Sequence, residues 1–121
     1  MLPLTPHMLA AVYDCLREFP PFKGWKLPPG DEVRFDVMRS RQVFGYYIEE
    51  TRPSGVVRSI QVSSANVGHW NTLTRIMAHE MIHMHQAVAR TYTSNAEHNA
   101  DFRRAARRVC SAFGWDYKEF V

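Results

Sequence analysis

The chain has 121 residues, of which 45% are hydrophobic and 22% charged, and its formal net charge is +3 at pH 7. That length allows one modest hydrophobic core and excludes a second catalytic domain, so residues 1–121 are predicted to form a single domain. The composition is that of an ordered globular protein and excludes extensive disorder.

The chain carries no sequence signal for a membrane or for secretion. Its apolar runs are shorter than a membrane span needs, and its N-terminus has no basic region followed by a continuous apolar stretch. We therefore expect a cytoplasmic protein with no membrane partner. The two cysteines, Cys15 and Cys110, form no Cys-x-x-Cys pair, and we expect both to be buried, reduced thiols.

Residues 6–19 are predicted to form the first element, an amphipathic helix that begins after Thr5. Its apolar side chains recur at steps of three and four residues; they are Leu9, Val12, Tyr13, Leu16 and Phe19. A connection rich in Pro and Gly, residues 19–31, separates this helix from the next element.

Three strands are predicted next, at residues 33–38, 43–50 and 56–63. The first alternates apolar and polar residues, and the second is rich in β-branched and aromatic residues. The third follows the turn signal "RPSG". Because the connections are short, we expect neighbouring strands to pair and the three-stranded sheet to be mainly antiparallel.

Two helices are predicted in the second half of the chain. Over residues 70–89 the apolar period is again helical, and the stripe comprises Trp70, Leu73, Met77, Met81, Met84 and Val88. Residues 99–113 form the last helix, which ends before Gly114. Its predicted buried residues are Phe102, Ala105, Ala106, Val109 and Phe113. The order of helix, three strands and two helices predicts an α+β domain.

The stretch "MAHEMIHMHQ", residues 77–86, contains the spacing His-Glu-x-x-His. Each helical residue turns the side chain by about 100°, so His79 and His83 lie about 40° apart and can share one metal ion. Zinc accepts imidazole nitrogen, and a catalytic zinc site needs three protein ligands. Glu80 stands where a general base for a metal-activated water is required. The alternative is a solvated helix face that carries two histidines.

A third ligand must come from elsewhere in the chain. The scheme with a further histidine six residues after His83 fails, because Gln86 and Ala89 occupy the positions that would need Gly and His. Glu97 is the one nearby candidate for a scheme with a glutamate ligand. The remaining histidine within reach is His98.

The combination of "HEMIH", a spacer, "EHNADF" and a basic amphipathic helix resembles the SprT-like zinc metallopeptidase family. The resemblance extends upstream through "VRFDVMRSRQVFGYY" and "SIQVSSANVGHWNTLTRIMAHE". It implies a minimal zincin-like metallopeptidase domain that binds Zn²⁺ through His79, His83 and His98, with Glu80 as the catalytic general base.

The chain departs from the family pattern in two places. Asn99 stands where the family has glycine after the third histidine; Asn tolerates left-handed backbone angles and can cap a helix. The 121 residues also contain no C-terminal zinc ribbon or DNA-binding tail of the kind that longer relatives carry.

Other polar residues near the motif have open roles. An oxyanion-stabilising donor is needed, and Tyr46, Tyr47, Tyr92 and His69 are equal candidates. The segment "SIQVSS", residues 59–64, is predicted to be an edge strand that pairs with an extended substrate, by analogy with other zinc peptidases. His85 points away from His79 and His83 and is predicted to be solvated.

Four arginines form a basic stripe on the last predicted helix: Arg103, Arg104, Arg107 and Arg108. A solvated charged face is the commoner meaning of such a stripe, but it would also suit contact with the phosphates of DNA. Resemblance to a family that includes DNA-associated proteases adds weight to the second meaning, which would place the protein with the nucleoid, but the solvated face remains the favoured interpretation.

We therefore expect a zinc-dependent metallopeptidase whose substrates include DNA-associated proteins. The alternative is a non-catalytic, zinc-stabilised module that binds nucleic acid or protein. A third possibility is metal-assisted hydrolysis of an amide other than a peptide bond.

Overall fold

The structure is a computed structural model and describes residues 4–67, 69–90 and 98–120. Tyr92 and Glu97 lie outside the described residues. The α+β order of elements is as predicted, with one short helix added at the C-terminal end. The helices and strands are α1 Pro6–Arg17, β1 Arg34–Met38, β2 Gly45–Arg52, β3 Gly55–Ser63, α2 Trp70–Ala89, α3 Ala100–Phe113 and α4 Tyr117–Phe120.

The three strands form one mixed sheet in the order β1-β3-β2. β2 and β3 pair antiparallel, as expected of a hairpin, but β1 and β3 pair parallel. The prediction that successive strands are antiparallel neighbours is therefore wrong for β1 and β2, because β3 lies between them. The connection after β1 crosses the end of β3, where Ser63 Oγ donates to the Ser40 carbonyl at 2.6 Å and Asn66 Nδ2 donates to the same oxygen at 2.7 Å.

The central position of β3 contradicts its predicted role as a substrate-binding edge strand. Residues 59–63 of "SIQVSS" belong to β3; all five pair with β1, and residues 59–62 pair with β2 on the other side. Four of them, Ser59, Ile60, Val62 and Ser63, are buried. A central strand has no free backbone groups for another chain, so the edge strands of this sheet are β1 and β2.

The hydrophobic core lies between the sheet and the helices. α2 contacts α1, α3, α4 and both β2 and β3, so it is buried on several sides instead of along one stripe. Its buried apolar residues are Leu73, Ile76, Met77, Ala78, Met81, Ile82 and Met84. Trp70 and Val88, predicted in the stripe, are exposed because they lie in the first and last turns, beyond the core.

The other helices agree with the predicted stripes except at their margins. In α1, Leu9, Val12, Tyr13 and Leu16 are buried. Phe19 is exposed because it follows the end of the helix. In α3, Phe102, Ala106 and Val109 are buried, whereas Ala105 and Phe113 are partly buried against the core. Cys110 is buried as predicted, but Cys15 is exposed, since it lies on the outer face of α1.

A buried tyrosine ties α1 to the connection that precedes the sheet. Tyr13 is fully buried, and its hydroxyl donates to the Pro28 carbonyl at 2.6 Å. Replacing Tyr13 by Phe leaves that carbonyl without its donor, so we expect the free energy of unfolding to fall by about 1 kcal/mol. Denaturant titration measures the change. Tyr46→Phe, at an exposed position, is the control and should unfold at the wild-type midpoint; equal midpoints for both variants would contradict the prediction.

Candidate metal centre

Three histidines from two parts of the chain meet at one point. His79 and His83 lie one turn apart on α2, and His98 lies two residues before α3. Their candidate ligand nitrogens are all within 4.8 Å of one another. The ring centroids are 5.1 Å apart for His79 and His83 and 4.9 Å for His79 and His98. These three histidines could hold a metal ion.

The position of His98 is fixed by the way α3 begins. Asn99 is the N-cap of α3, and its Oδ1 accepts from the Phe102 backbone N–H at 2.9 Å. The same oxygen accepts from Gln86 Nε2 at 2.8 Å. Gln86 is a buried residue of α2, so this bond attaches the start of α3 to the helix that carries the other two histidines. Asn99 thus supplies a helix cap and a tertiary contact that glycine could not make.

Phe102 forms an apolar surface beneath the histidines. Its ring stacks on His98 with centroids 4.3 Å apart and lies 4.6 Å from His83 and 5.1 Å from His79. Sequence reasoning assigned Phe102 to the core only and missed Gln86 altogether. The signal for Gln86 was its place on α2, one turn beyond His83, on a helix with little polar surface.

His79 and His83 are held in the neutral form. Burial, aided by His98, lowers the pKa of His79 to about 4, against the opposing effect of a bond to the Phe120 carbonyl. Burial, followed by the charges of His79 and His98, lowers the pKa of His83 to about 3. Neutral imidazole is the form that ligates a metal, so both groups are ready as ligands at pH 7.

Glu80 lies beside the histidines at the boundary between α2 and β2. Its side chain is only 5% exposed. Gly45, the first residue of β2, faces it: a Cβ atom at Gly45 would lie 3.3 Å from Glu80 Oε2 and 2.7 Å from the Gln61 carbonyl oxygen. A side chain at this position would force the strand away. Gly45 therefore allows the β2 backbone to approach the Glu80 carboxylate.

The three histidines of the cluster and Glu80 line an open cleft of about 420 Å³, a volume typical of ligand sites. One wall is α2, the other is the start of β2 with the loop before it, and the end is closed by His98 and the C-terminal helix. The remaining lining residues are Gln42, Val43, Phe44, Gly45, Tyr46, Thr72, Arg75, Ile76, Glu119 and Phe120.

The structure distinguishes among the described candidates for the oxyanion-stabilising donor. Tyr46 lines the cleft. Tyr47 instead donates to Glu49 Oε1 at 3.0 Å, and burial raises the pKa of its hydroxyl. His69 is exposed at the N-cap of α2 and is not among the lining residues.

The prediction of a solvated His85 is wrong. Its ring is partly buried and stacks on Trp25, with centroids 4.0 Å apart and planes 13° from parallel. Burial, followed by the charge of Arg108, lowers the pKa of His85. His85 is not part of the histidine cluster, so its separation from His79 and His83 is as predicted.

The four arginines of α3 are all exposed. Arg103 donates to the His98 carbonyl at 2.7 Å, Arg104 pairs with Asp101, and Arg107 lies 4.6 Å from the centroid of the Tyr117 ring. Such exposed contacts are weak and can be exchanged for others. The stripe therefore lies on the solvent side of the helix that begins next to His98.

A family model described as the SprT-like family matches residues 15–119. The match covers most of the chain, includes the three histidines of the cluster and Glu80, and confirms the resemblance drawn from the sequence. No curated protein and no solved structure matches the chain. Among the described residues, no helix combines the length and apolar character that crossing a membrane requires.

The neutral histidines make the stability of the metal-free protein depend on pH. Since the pKa values of His79 and His83 are about 4 and about 3 in the folded chain and about 6.5 in the unfolded chain, the unfolded chain binds more protons between those values. Stability should therefore fall as pH is lowered through that window. We expect a lower melting temperature at pH 5 than at pH 7 in the presence of a chelator.

The matched comparison for this prediction is a variant in which His79 and His83 are both replaced by Gln. Its melting temperature should fall less between pH 7 and pH 5 than that of the wild type. His7→Gln, at an exposed position of α1, should keep the wild-type dependence. An equal fall in all three proteins would show that other groups cause it.

Proposed function

The chain belongs to the SprT-like family, and we propose that it is a zinc-dependent endopeptidase. In this proposal His79, His83 and His98 hold the zinc, and Glu80 is the general base. The observation that carries the proposal is the convergence of three imidazoles beside a buried carboxylate on the wall of an open cleft.

The donor set fits zinc. Three imidazole nitrogens form a known set for catalytic zinc and leave one coordination position open. His79 and His83 are neutral at pH 7, and no proton has to be displaced from them before they bind. When bound, zinc supplies Lewis acidity that polarises a peptide carbonyl and lowers the pKa of water.

Glu80 supplies the proton transfers of the reaction. Its carboxylate accepts a proton from the water that attacks the carbonyl carbon of the scissile peptide bond. The same oxygen then delivers that proton to the departing amide nitrogen as the carbon–nitrogen bond breaks. This role is supported by the position of Glu80 next to His79 on α2, where it lines the same cleft as the three histidines.

The open edge of β2 is suited to an extended substrate. Ser63 N–H donates to the Phe44 carbonyl at 2.8 Å, so Phe44 directs its backbone groups toward β3. Because this direction alternates along an antiparallel strand, Gly45 and Tyr47 direct theirs to the opposite edge, which no described strand covers. A peptide that pairs with Gly45 and Tyr47 would run past Glu80. We assign to β2 the substrate contact first expected of β3.

The exposed face of α3 supports a further proposal, that the substrates are proteins associated with DNA. Its arginines, Arg103, Arg104, Arg107 and Arg108, can exchange their weak intramolecular contacts for phosphates. Since α3 begins next to His98, DNA held on this face would lie beside the cleft, and a protein bound to that DNA would be presented to it.

The alternative is a zinc-stabilised binding module without catalysis, in which the metal joins α2 to the start of α3. It requires the three histidines but not Glu80. A change at Glu80 should therefore abolish function only if the protein is a peptidase. A change at one of the three histidines should impair function under either proposal.

Removal of the third ligand tests the metal site that both proposals share. We expect His98→Ala to lower zinc affinity more than tenfold, because two imidazoles then remain of three. Zinc content after dialysis, measured by elemental analysis, gives the result. His7→Ala is the matched control and should retain the wild-type content. Wild-type zinc content in His98→Ala would rule out this ligand set.

Replacement of the base tests catalysis. Glu80→Gln keeps the size of the side chain but cannot accept the proton, so we expect cleavage of an unstructured protein to fall by about 10²–10⁴-fold while zinc content is unchanged. Cleavage is followed by gel and mass spectrometry in zinc-loaded protein, with and without single- or double-stranded DNA.

Three outcomes of this experiment separate the proposals. Cleavage by wild type and by Glu80→Gln at equal rates would contradict the role of Glu80. Absence of cleavage by both, with zinc bound, would favour the binding module. DNA that neither binds nor changes the rate would remove the proposal for DNA-associated substrates and leave the peptidase intact.

A further inference from the structure

The C-terminal end of the chain runs back along the helix that carries the metal ligands. Gly114 ends α3 in the left-handed conformation, with φ +74°, which turns the chain toward α2. We call residues 115–120 the C-terminal strap. It contacts three residues of α2 at steps of four, and such residues form one row along a helix.

Three polar contacts join the strap to these residues. Trp115 Nε1 donates to Asn71 Oδ1 at 3.1 Å. Arg75 forms an ion pair with Glu119, with 3.2 Å between Nη1 and Oε2. The Phe120 carbonyl oxygen lies 3.0 Å from His79 Nδ1. The row on α2 therefore ends at a metal-ligand candidate.

The last of these contacts determines which nitrogen of His79 is available to a metal. A carbonyl oxygen only accepts hydrogen bonds, so Nδ1 must carry the proton for this bond to form. In neutral His79 the free lone pair is then on Nε2. The bond also fixes the rotation of the ring, as partners behind ligand histidines do.

The carbonyl is held in place mainly by the side chain of its own residue. The Phe120 ring is 5% exposed and lies 5.6 Å from the His79 ring and 5.9 Å from the Trp115 ring. Its backbone N–H donates to the Asp116 carbonyl at 3.1 Å. The ion pair with Arg75 is partly exposed and contributes less. Burial of the Phe120 ring is therefore the anchor of the strap.

We propose that the C-terminal strap positions His79 for metal binding through the Phe120 carbonyl. Phe120 is a positioning residue: it does not touch the metal, but it selects Nε2 of His79 as the ligand atom and orients the ring. This inference rests on the metal site of the proposed function. Phe120 lies just beyond the residues that match the family model, which end at residue 119.

The first test compares zinc affinities in the full-length chain by competition with a chromophoric chelator. Phe120→Ala removes the anchor, and we expect zinc to bind about 10–100-fold more weakly, the usual loss when a partner behind a ligand histidine is disturbed. Phe120→Leu keeps an apolar anchor and should bind zinc within about threefold of wild type. Phe22→Ala is the matched control, because it empties an equally buried phenylalanine site whose ring contacts are Trp25 and Phe113.

A second measurement reads the tautomer directly. Nitrogen-15 NMR of the zinc-free protein distinguishes a protonated Nδ1 from a protonated Nε2. We expect wild type and Phe22→Ala to show His79 protonated on Nδ1, and Phe120→Ala to show a mixture of the two forms. A general loss of stability would not change the tautomer, so this readout separates positioning from a merely structural role.

The outcomes distinguish this inference from the proposed function. If wild type binds zinc and Phe120→Ala binds it equally well, the strap does not position His79, but the metal site stands. A His79 protonated on Nε2 in the zinc-free wild type would also overturn the inference. If the wild type binds no zinc at all, both the metal site and the role of the strap are refuted, whereas zinc binding without peptide cleavage leaves this inference supported by its own tests.

Discussion

Burial of α2 is the constraint on which the site depends. The sheet, α1, α3 and α4 all contact this helix, so little of its surface remains for polar groups. Each polar residue that it buries therefore needs a partner or a function. Gln86 bonds to Asn99, and His79 lies against the Phe120 carbonyl. The same burial keeps the imidazoles neutral and surrounds Glu80 with protein on most sides.

The part of the site that the sequence predicts is the part encoded by local spacing. His79, Glu80 and His83 follow from helical periodicity, because their relative positions depend only on the turn of one helix. His98 lies fifteen residues from His83, and no local rule joins them; the family resemblance supplied that connection. The Asn99 cap was also predictable, since capping is a property of residue type at a helix start.

The errors concern contacts between distant residues. Strand order is not written in the pattern of any one strand, so β3 could not be recognised as central from alternation and short connections. His85 was expected in solvent because its partner, Trp25, lies sixty residues away. The strap was missed for two reasons. α4 has only four residues, which are too few for a periodic signal, and the bond from Phe120 to His79 spans 41 positions of the chain.

Under the proposed function, the way the fold holds the metal site favours catalysis over a purely structural role. In small zinc modules the metal supplies the folding energy, because the chain has too little core without it. Here a contiguous core extends from α1 through the sheet to α3. Protein contacts position the three histidines: the helix turn for His79 and His83, and the Gln86 to Asn99 bond for the start of α3. A site assembled in this way needs little reordering to bind metal, so in the proposed function a bound metal would be free to act on a substrate in the cleft rather than to hold the helices together.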